Sequence, residues 1–332
     1  MPVTIKDVAK IANVSPSTVS RVIANNPKIS NQTKQKVYSA MEELNYHPNA
    51  IARSLANKST KTLGLILPNT SENLFANPFF IQVMRGISVY SQKRGYYIMY
   101  NYSNNEDEEV DFISKYIHSK WVDGIILLTA RQDDKCISYL NKVNHPFVVI
   151  GRPENTDKLL WVDNDNFKAM YDVITYLVGK GHRDIAFIGG PHSLNVTKDR
   201  LEGYRNALQI RGIKIDDQLI KEADFSETRG YEAMKEILRN KKPEAVVTTD
   251  DLIAFGAMKA IKEETDEKIA VVGFNNTPLA SYQSPKLSSV DINAEELGYH
   301  AAKLLIDKLE NKESNMQHYI VDTKLIERES SI

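Results

Sequence analysis

The chain has 332 residues, 42% hydrophobic and 26% charged, a composition that excludes a disordered or fibrous protein and allows two or three folded domains. Its net charge of −1 conceals an asymmetry: residues 1–60 carry eight Lys or Arg against three Asp or Glu, and the rest carries 34 against 40. A basic head on an acidic body suits a head that meets a polyanion, and no run approaches the ~18 apolar residues of a membrane-spanning helix.

The first sixty residues read as helices. Thr4 is placed to cap a helix over "IKDVAKIA", with Asp7 completing a capping-box-like start and Val8, Ile11 and Ala12 on one face. After the turn "ANV", Ser15 is a second cap and Pro16 a first helical residue, where its missing N–H costs nothing. Val19, Val22 and Ile23 recur at helical spacing as that helix's buried face. "ANNPKIS" is a loop, and Ser30 opens a third helix to about Asn45 with Val37, Ala40, Met41 and Leu44 as its stripe. "YHPNAIARSLANKST" follows, with Pro48 as a breaker and then a short candidate helix. The opening residues lack a sustained apolar stretch of the signal-peptide kind. Cys136 is the sole cysteine, so no intramolecular disulfide forms and a cytoplasmic location is expected.

From Lys61 the pattern changes. "TLGLILP", "YYIMYNYS", "VDGIILLT", "PFVVIG", "RDIAFIGG", "EAVVTTD" and "KIAVVGF" are buried strand-like runs, mostly separated by amphipathic helical stretches. That alternation predicts βαβ units and parallel sheets covered on both faces.

Two short helices around a tight turn, the second dense in hydroxyls, describe a helix-turn-helix, whose second helix enters the major groove. Pro16 and Ser17 then point at bases, and Thr18, Ser20 and Arg21 reach phosphates or bases. Ser15 and Thr18 have the alternative of serving only as caps, and Arg21 that of a solvated surface charge. Thr4, Asn25 and Tyr46 complete the expected DNA-facing set.

"TIKDVAKIANVSPSTVSRVI", "ISNQTKQKVYSAMEELNYHPNAIARSLA" and the βα body together resemble the lactose/galactose repressor (LacI/GalR) family of bacterial transcription regulators, along essentially the whole chain. "NPFF", "VDNDN", "FIGG" and "VTKDRLEGY" resemble its branch that regulates maltose operons. The resemblance implies an all-α helix-turn-helix head (residues 1–47), a hinge (48–60) and an α/β two-lobed, periplasmic-binding-protein-like body of two doubly wound parallel sheets (61–332). Lobe 1 is expected at about 61–161 plus 292–320, and lobe 2 at about 162–290 plus 321–332. It also implies that Pro48–Asn57 becomes helical on the operator, with Leu55 as a minor-groove wedge that kinks a central base step. A segment bearing Asn49, Arg53 and Asn57 has too few apolar residues to be a stable helix alone, so it would fold on binding.

For the body the rival reading is an enzyme. No G-x-G-x-x-G follows the first strand, and no phosphate-loop, H-E-x-x-H or G-x-S-x-G motif occurs. No catalytic residue, metal or cofactor is expected. A sugar sensor instead needs carboxylates, amides and Arg at strand C-terminal ends, with aromatic faces for the ring. The resemblance implies Arg200, Asp250, Asn275 and Phe225 as effector contacts, and Asp165 lies just past "WVDN". Arg200 could instead pair with an acid, Asp250 cap a helix, and Phe225 and Trp161 be core. Asn275 stands where many sugar-binding relatives carry an acid. Phe79, Phe80 and Trp161 offer aromatic surface suited to a disaccharide. A transport-type sugar-binding protein shares such a body but not a basic helical head. The expected protein is therefore a homodimeric repressor, without the apolar heptads of a tetramer, that binds pseudo-palindromic double-stranded operator DNA and a maltose-like sugar. Sugar-tightened or protein-assisted operator binding remains the alternative.

Overall fold

The computed structural model describes residues 3–24, 26–47, 59–68, 77–157, 159–312 and 316–332. The hinge residues Asn49, Arg53, Leu55 and Asn57, and Asn25 in the head, lie outside the described residues.

The head is three helices, α1 (Ile5–Ile11), α2 (Pro16–Ile23) and α3 (Asn31–Glu43). Its core is Val8, Ala9, Ala12, Val19, Val22, Val37 and Ala40. Ile11, expected on the buried face, is 44% exposed. The inward stripe of α1 runs through Ile5, Val8, Ala9 and Ala12, steps of three and four that leave Ile11 on the other side. Asn13 takes a left-handed conformation (φ 53°) in the turn before α2. Asn tolerates that region better than most residues.

The body holds two six-stranded sheets. In the first, β1 (Thr62–Leu67) lies between β2 (Tyr97–Tyr102) and β3 (Gly124–Leu127). β4 (Phe147–Ile150), β5 (Leu160–Asn164) and β11 (His318–Val321) continue from β3, all parallel. In the second, β6 (Ile185–Gly189) lies between β7 (Ile220–Glu222) and β8 (Ala245–Thr248). β9 (Ala270–Phe274) and β10 (Ser288–Asp291) follow in parallel, and β12 (Lys324–Ile326) closes the edge antiparallel to β10. β1 shows why both faces are covered. Leu63, Leu65 and Leu67 face α4 (Pro78–Lys93) and α11 (Ala294–Leu309), while Ile66 faces α5 (Glu106–His118) and α6 (Lys135–Lys142). The second sheet is sandwiched likewise between α7 (Asn166–Gly179) with α8 (Asn195–Ile210) and α9 (Glu227–Asn240) with α10 (Asp251–Glu264).

Three flanking helix pairs meet through glycines. A Cβ on Gly86 of α4 would lie 1.9 Å from the Glu295 carbonyl oxygen of α11, and one on Gly298 would lie 2.0 Å from that of Val83. Gly256 against Glu227, Gly230 against Ile253 and Gly203 against Phe167 repeat the arrangement at α9–α10 and α7–α8.

The chain passes between the sheets after β5, β10 and β11. β5 stays in the first sheet through Asn164, three residues beyond the expected boundary at 161, because its register with β11 runs to Asn164↔Val321. The buried Asn164 amide donates to the carbonyls of Ile292 (3.0 Å) and Val321 (2.9 Å), so one side chain ties all three crossings together.

Candidate functional site

In the head, the surface of α2 opposite Val19 and Val22 presents Ser15, Pro16, Ser17 and Arg21 to solvent, with Thr18 and Ser20 half-buried. Ser15 Oγ accepts the Thr18 backbone N–H at 3.1 Å and lies 2.8 Å from Ser17 Oγ and 2.9 Å from Thr18 Oγ1. The hydroxyls thus cap the helix and still form one exposed polar cluster. Arg21 forms no ion pair with any described acid. Thr4 donates its N–H and hydroxyl to Asp7 Oδ2 at 2.8 and 2.7 Å, and those bonds hold the Asp7 carboxyl below its usual range. Tyr46 is half-buried and packs against the head's core.

In the body, the strand ends of both sheets border one cleft. Its polar corner is built by helix starts. Asp250 follows β8 and caps α10, its Oδ1 accepting the Leu252 N–H at 2.7 Å. Its Oδ2 accepts from Asn275 Nδ2 (2.7 Å) and from Asn77 Nδ2 (2.9 Å). Asn275 sits just past β9 at φ 99°, a strained position for a residue with a Cβ. Arg200, 4% exposed on α8, donates Nε–H to Asn166 Oδ1 (2.9 Å) and Nη1–H to the Thr249 carbonyl (2.6 Å), over the Phe274 ring at 4.2 Å. Its Nη2 has no partner among the described residues, which leaves donors for a ligand.

Phe79 and Phe80 line the cleft from the first lobe and Phe225 from the second. Phe225 rests on Gly190, where a Cβ would come within 2.3 Å of the ring. The lining joins charged and amide groups at one corner to aromatic walls, the pairing a sugar needs for its hydroxyls and its C–H faces.

Arg200, Asp250, Asn275 and Phe225 therefore meet in one cleft. Asp165 does not: it is exposed, and its carboxylate caps α7 by accepting the Lys168 N–H at 2.9 Å. Asp163, two residues earlier on β5, lines the cleft in its place and accepts from the Arg152 N–H (2.9 Å) and Asn166 Nδ2 (2.9 Å). Because β5 runs to Asn164, the strand's last acid faces the cleft and the next one starts the helix. Trp161 belongs to the core between the first sheet and α5–α6, stacked on His318, and is absent from the cleft wall. Sequence reasoning missed Asn77, whose only local signal is an Asn before a helix-starting Pro, and Asn164. Among the described residues, no three His, Cys, Asp or Glu gather as a metal site, and no helix is long and apolar enough to cross a membrane.

Burial pushes the carboxyls of Asp163 and Asp250 up to about 6 and that of Asp251, behind the corner, to about 7. It lowers the Arg200 guanidinium to about 10. A raised carboxyl pKa means the folded chain holds the proton more tightly than the unfolded one. The stability these acids contribute is present at low pH and lost as pH rises through about 6 to 7. The melting temperature of the body is therefore expected to fall between pH 5.5 and pH 8 in a scanning calorimeter. A rise across that window would mean that the acids' hydrogen-bond donors outweigh their burial.

The comparisons with known proteins agree with this anatomy. Residues 4–49 match the family described as bacterial regulatory proteins, lacI family, and residues 174–331 match a periplasmic binding protein-like domain. The HTH-type transcriptional regulator MalR of Streptococcus pneumoniae is 40% identical over 99% of this chain and 100% of its own. Among solved structures, a complex of the transcriptional regulator CelR with cellobiose is 30% identical (TM-score 0.78; 99% of this chain, 100% of that one). A lac repressor dimer bound to operator and the anti-inducer ONPF is 25% identical (TM-score 0.86; 100% of both).

Proposed function

The chain belongs to the LacI family of bacterial transcription regulators, and from that premise we propose that it represses a sugar-utilisation operon and leaves its operator when it binds maltose or a related glucoside. The observation that carries the effector assignment is the cleft: Arg200, Asp163 and Asp250 at a polar corner, facing Phe79, Phe80 and Phe225. The solved CelR relative is a complex with a disaccharide, cellobiose. A homodimer would set two heads on a pseudo-palindromic operator, with α2 of each in the major groove. The two hinges would meet at its centre. Sugar binding would favour a lobe arrangement that separates them, a coupling of ~1–3 kcal/mol or about 5–150-fold in operator affinity.

Calorimetric titration of the full chain with maltose, glucose, sucrose and trehalose tests the effector. Saturable heat with maltose is expected, and none with any of the four would overturn the sugar assignment. For the hinge, Leu55→Ala is expected to weaken operator binding by at least tenfold, since a wedge stabilises a kink that phosphate contacts alone do not. Sugar binding should be unchanged. Equal operator affinity for both chains would remove Leu55 from the interface.

A further inference from the structure

The buried bond between Asn77 and Asp250 joins residues of different lobes whose only covalent links are the crossings near Asn164, Ile292 and Val321. Asn77 is 2% exposed and has two roles at once. Its Oδ1 accepts the Phe79 N–H (3.1 Å) and so caps α4, while its Nδ2 donates to Asp250 Oδ2 (2.9 Å). Asp250 in turn caps α10. The starts of two helices, one from each lobe, are thus tied end to end through two side chains. An opening rotation of the lobes about the crossings would lengthen this bond. It also carries away Phe79 and Phe80, which follow Asn77 directly and form one wall of the cleft.

We infer that Asn77 is the latch of lobe closure: its bond to Asp250 sets the balance between closed and open lobes and places the aromatic wall against the ligand. Asn77 is a positioning residue, acting through Asp250 and the two phenylalanines. The neighbouring interlobe bonds, Asn195 Nδ2 to the Arg152 carbonyl (2.9 Å) and Asn195 N–H to that of Ala130 (3.1 Å), involve backbone acceptors and close the other side of the cleft. The latch ends instead on an ionisable group, Asp250, away from the crossings. Two amides donate to Oδ2 and one backbone N–H to Oδ1, so the charged form of Asp250 satisfies all three donors. The other charged groups around it are Asp251, next in the chain, and Arg200, itself flanked by Asp163 and Asp199.

The inference rests on the proposed function only for the identity of the sugar. Asn77→Ser keeps an oxygen to cap α4 but cannot reach Asp250. Asn77→Asp also keeps the cap and sets a second carboxylate against the first. Spin labels at Lys142→Cys on the first lobe and Arg239→Cys on the second, both exposed, report the lobe distance by pulsed electron resonance, and Cys136 is buried. Relative to the unsubstituted chain, Asn77→Ser is expected to shift the distances toward longer values. Asn77→Asp should do so further, and more at pH 8 than at pH 5. Maltose affinity should drop about tenfold in Asn77→Ser, the scale of one hydrogen bond to a charged group. The pH midpoint of binding should move upward because Asp250 has lost a donor, a shift that a purely structural role would not produce. Distance distributions that superimpose for all three chains, with and without sugar, would overturn the latch. If the unsubstituted chain bound none of the sugars, the effector assignment would fail while the distances still decided the latch.

Discussion

Replacing Arg200 with Met is expected to abolish the sugar response while leaving operator binding intact. Met keeps much of the side chain's volume over Phe274 but removes every donor. Two acceptors in the cleft corner, Asn166 Oδ1 and the Thr249 carbonyl, lose their partners. Each unsatisfied buried acceptor costs about 1–3 kcal/mol. Part of that is offset because a buried guanidinium no longer has to be desolvated, so the body should remain folded. Nothing offsets the loss on the ligand side. Two hydrogen bonds from a cation to sugar hydroxyls, at about 1.5 kcal/mol or more each, correspond to at least a hundredfold in affinity. Calorimetry with maltose and anisotropy with operator read the two effects separately. A variant that still released its operator at ordinary maltose concentrations would remove Arg200 from the site.

The second large effect concerns stability. Gly86→Val is expected to cost about 3 kcal/mol or more, because the added atoms meet backbone rather than a yielding side chain. The first of them would fall 1.9 Å from the Glu295 carbonyl oxygen and 2.8 Å from the Tyr299 nitrogen. Relief requires α4 and α11 to separate along a seam where Gly298 makes the mirror approach to Val83. Overpacking usually costs 1–3 kcal/mol, and separation adds lost dispersion contacts along both helices. A fall of roughly 10 °C in melting temperature follows for a body of this size. Gly179→Ala is the control: its Cβ meets nothing within 4 Å, and the change should be neutral or slightly stabilising. A Gly86→Val melting point within a degree of the unsubstituted chain would show that the helices can move apart at little cost.

Much of the fold is written locally. Caps at Thr4, Ser15 and Ser30 and the stripes behind them specify the head, and long β-branched runs specify the central strands. The strands that escaped, β5, β7, β10, β11 and β12, have three to five residues, several of them polar, so periodicity has too little length to register. Ile11 was misplaced because the inward stripe of α1 starts at Ile5 and runs through Val8, Ala9 and Ala12.

The candidate site was marked by the family resemblance more than by residue type. Arg200, Asp250, Asn275 and Phe225 came from the family resemblance and converge in the cleft. Asp165 failed by two positions, since the end of β5 is fixed by pairing with β11, more than 150 residues along the chain. For Asn77 the neighbours signal only a helix cap: its partner, Asp250, is brought to it by the meeting of two lobes. Local patterns name the groups able to do the chemistry, and long-range packing decides which of them meet.

In the proposed function, one conformational equilibrium links the sugar cleft to the head. Fluorescence anisotropy of a labelled symmetric operator with a central CG step, titrated with the full chain with and without saturating maltose, tests it most directly. Tight binding without sugar and affinity at least fivefold weaker with it are expected. Equal affinity in both titrations, from a chain that calorimetry shows to bind maltose, would contradict it.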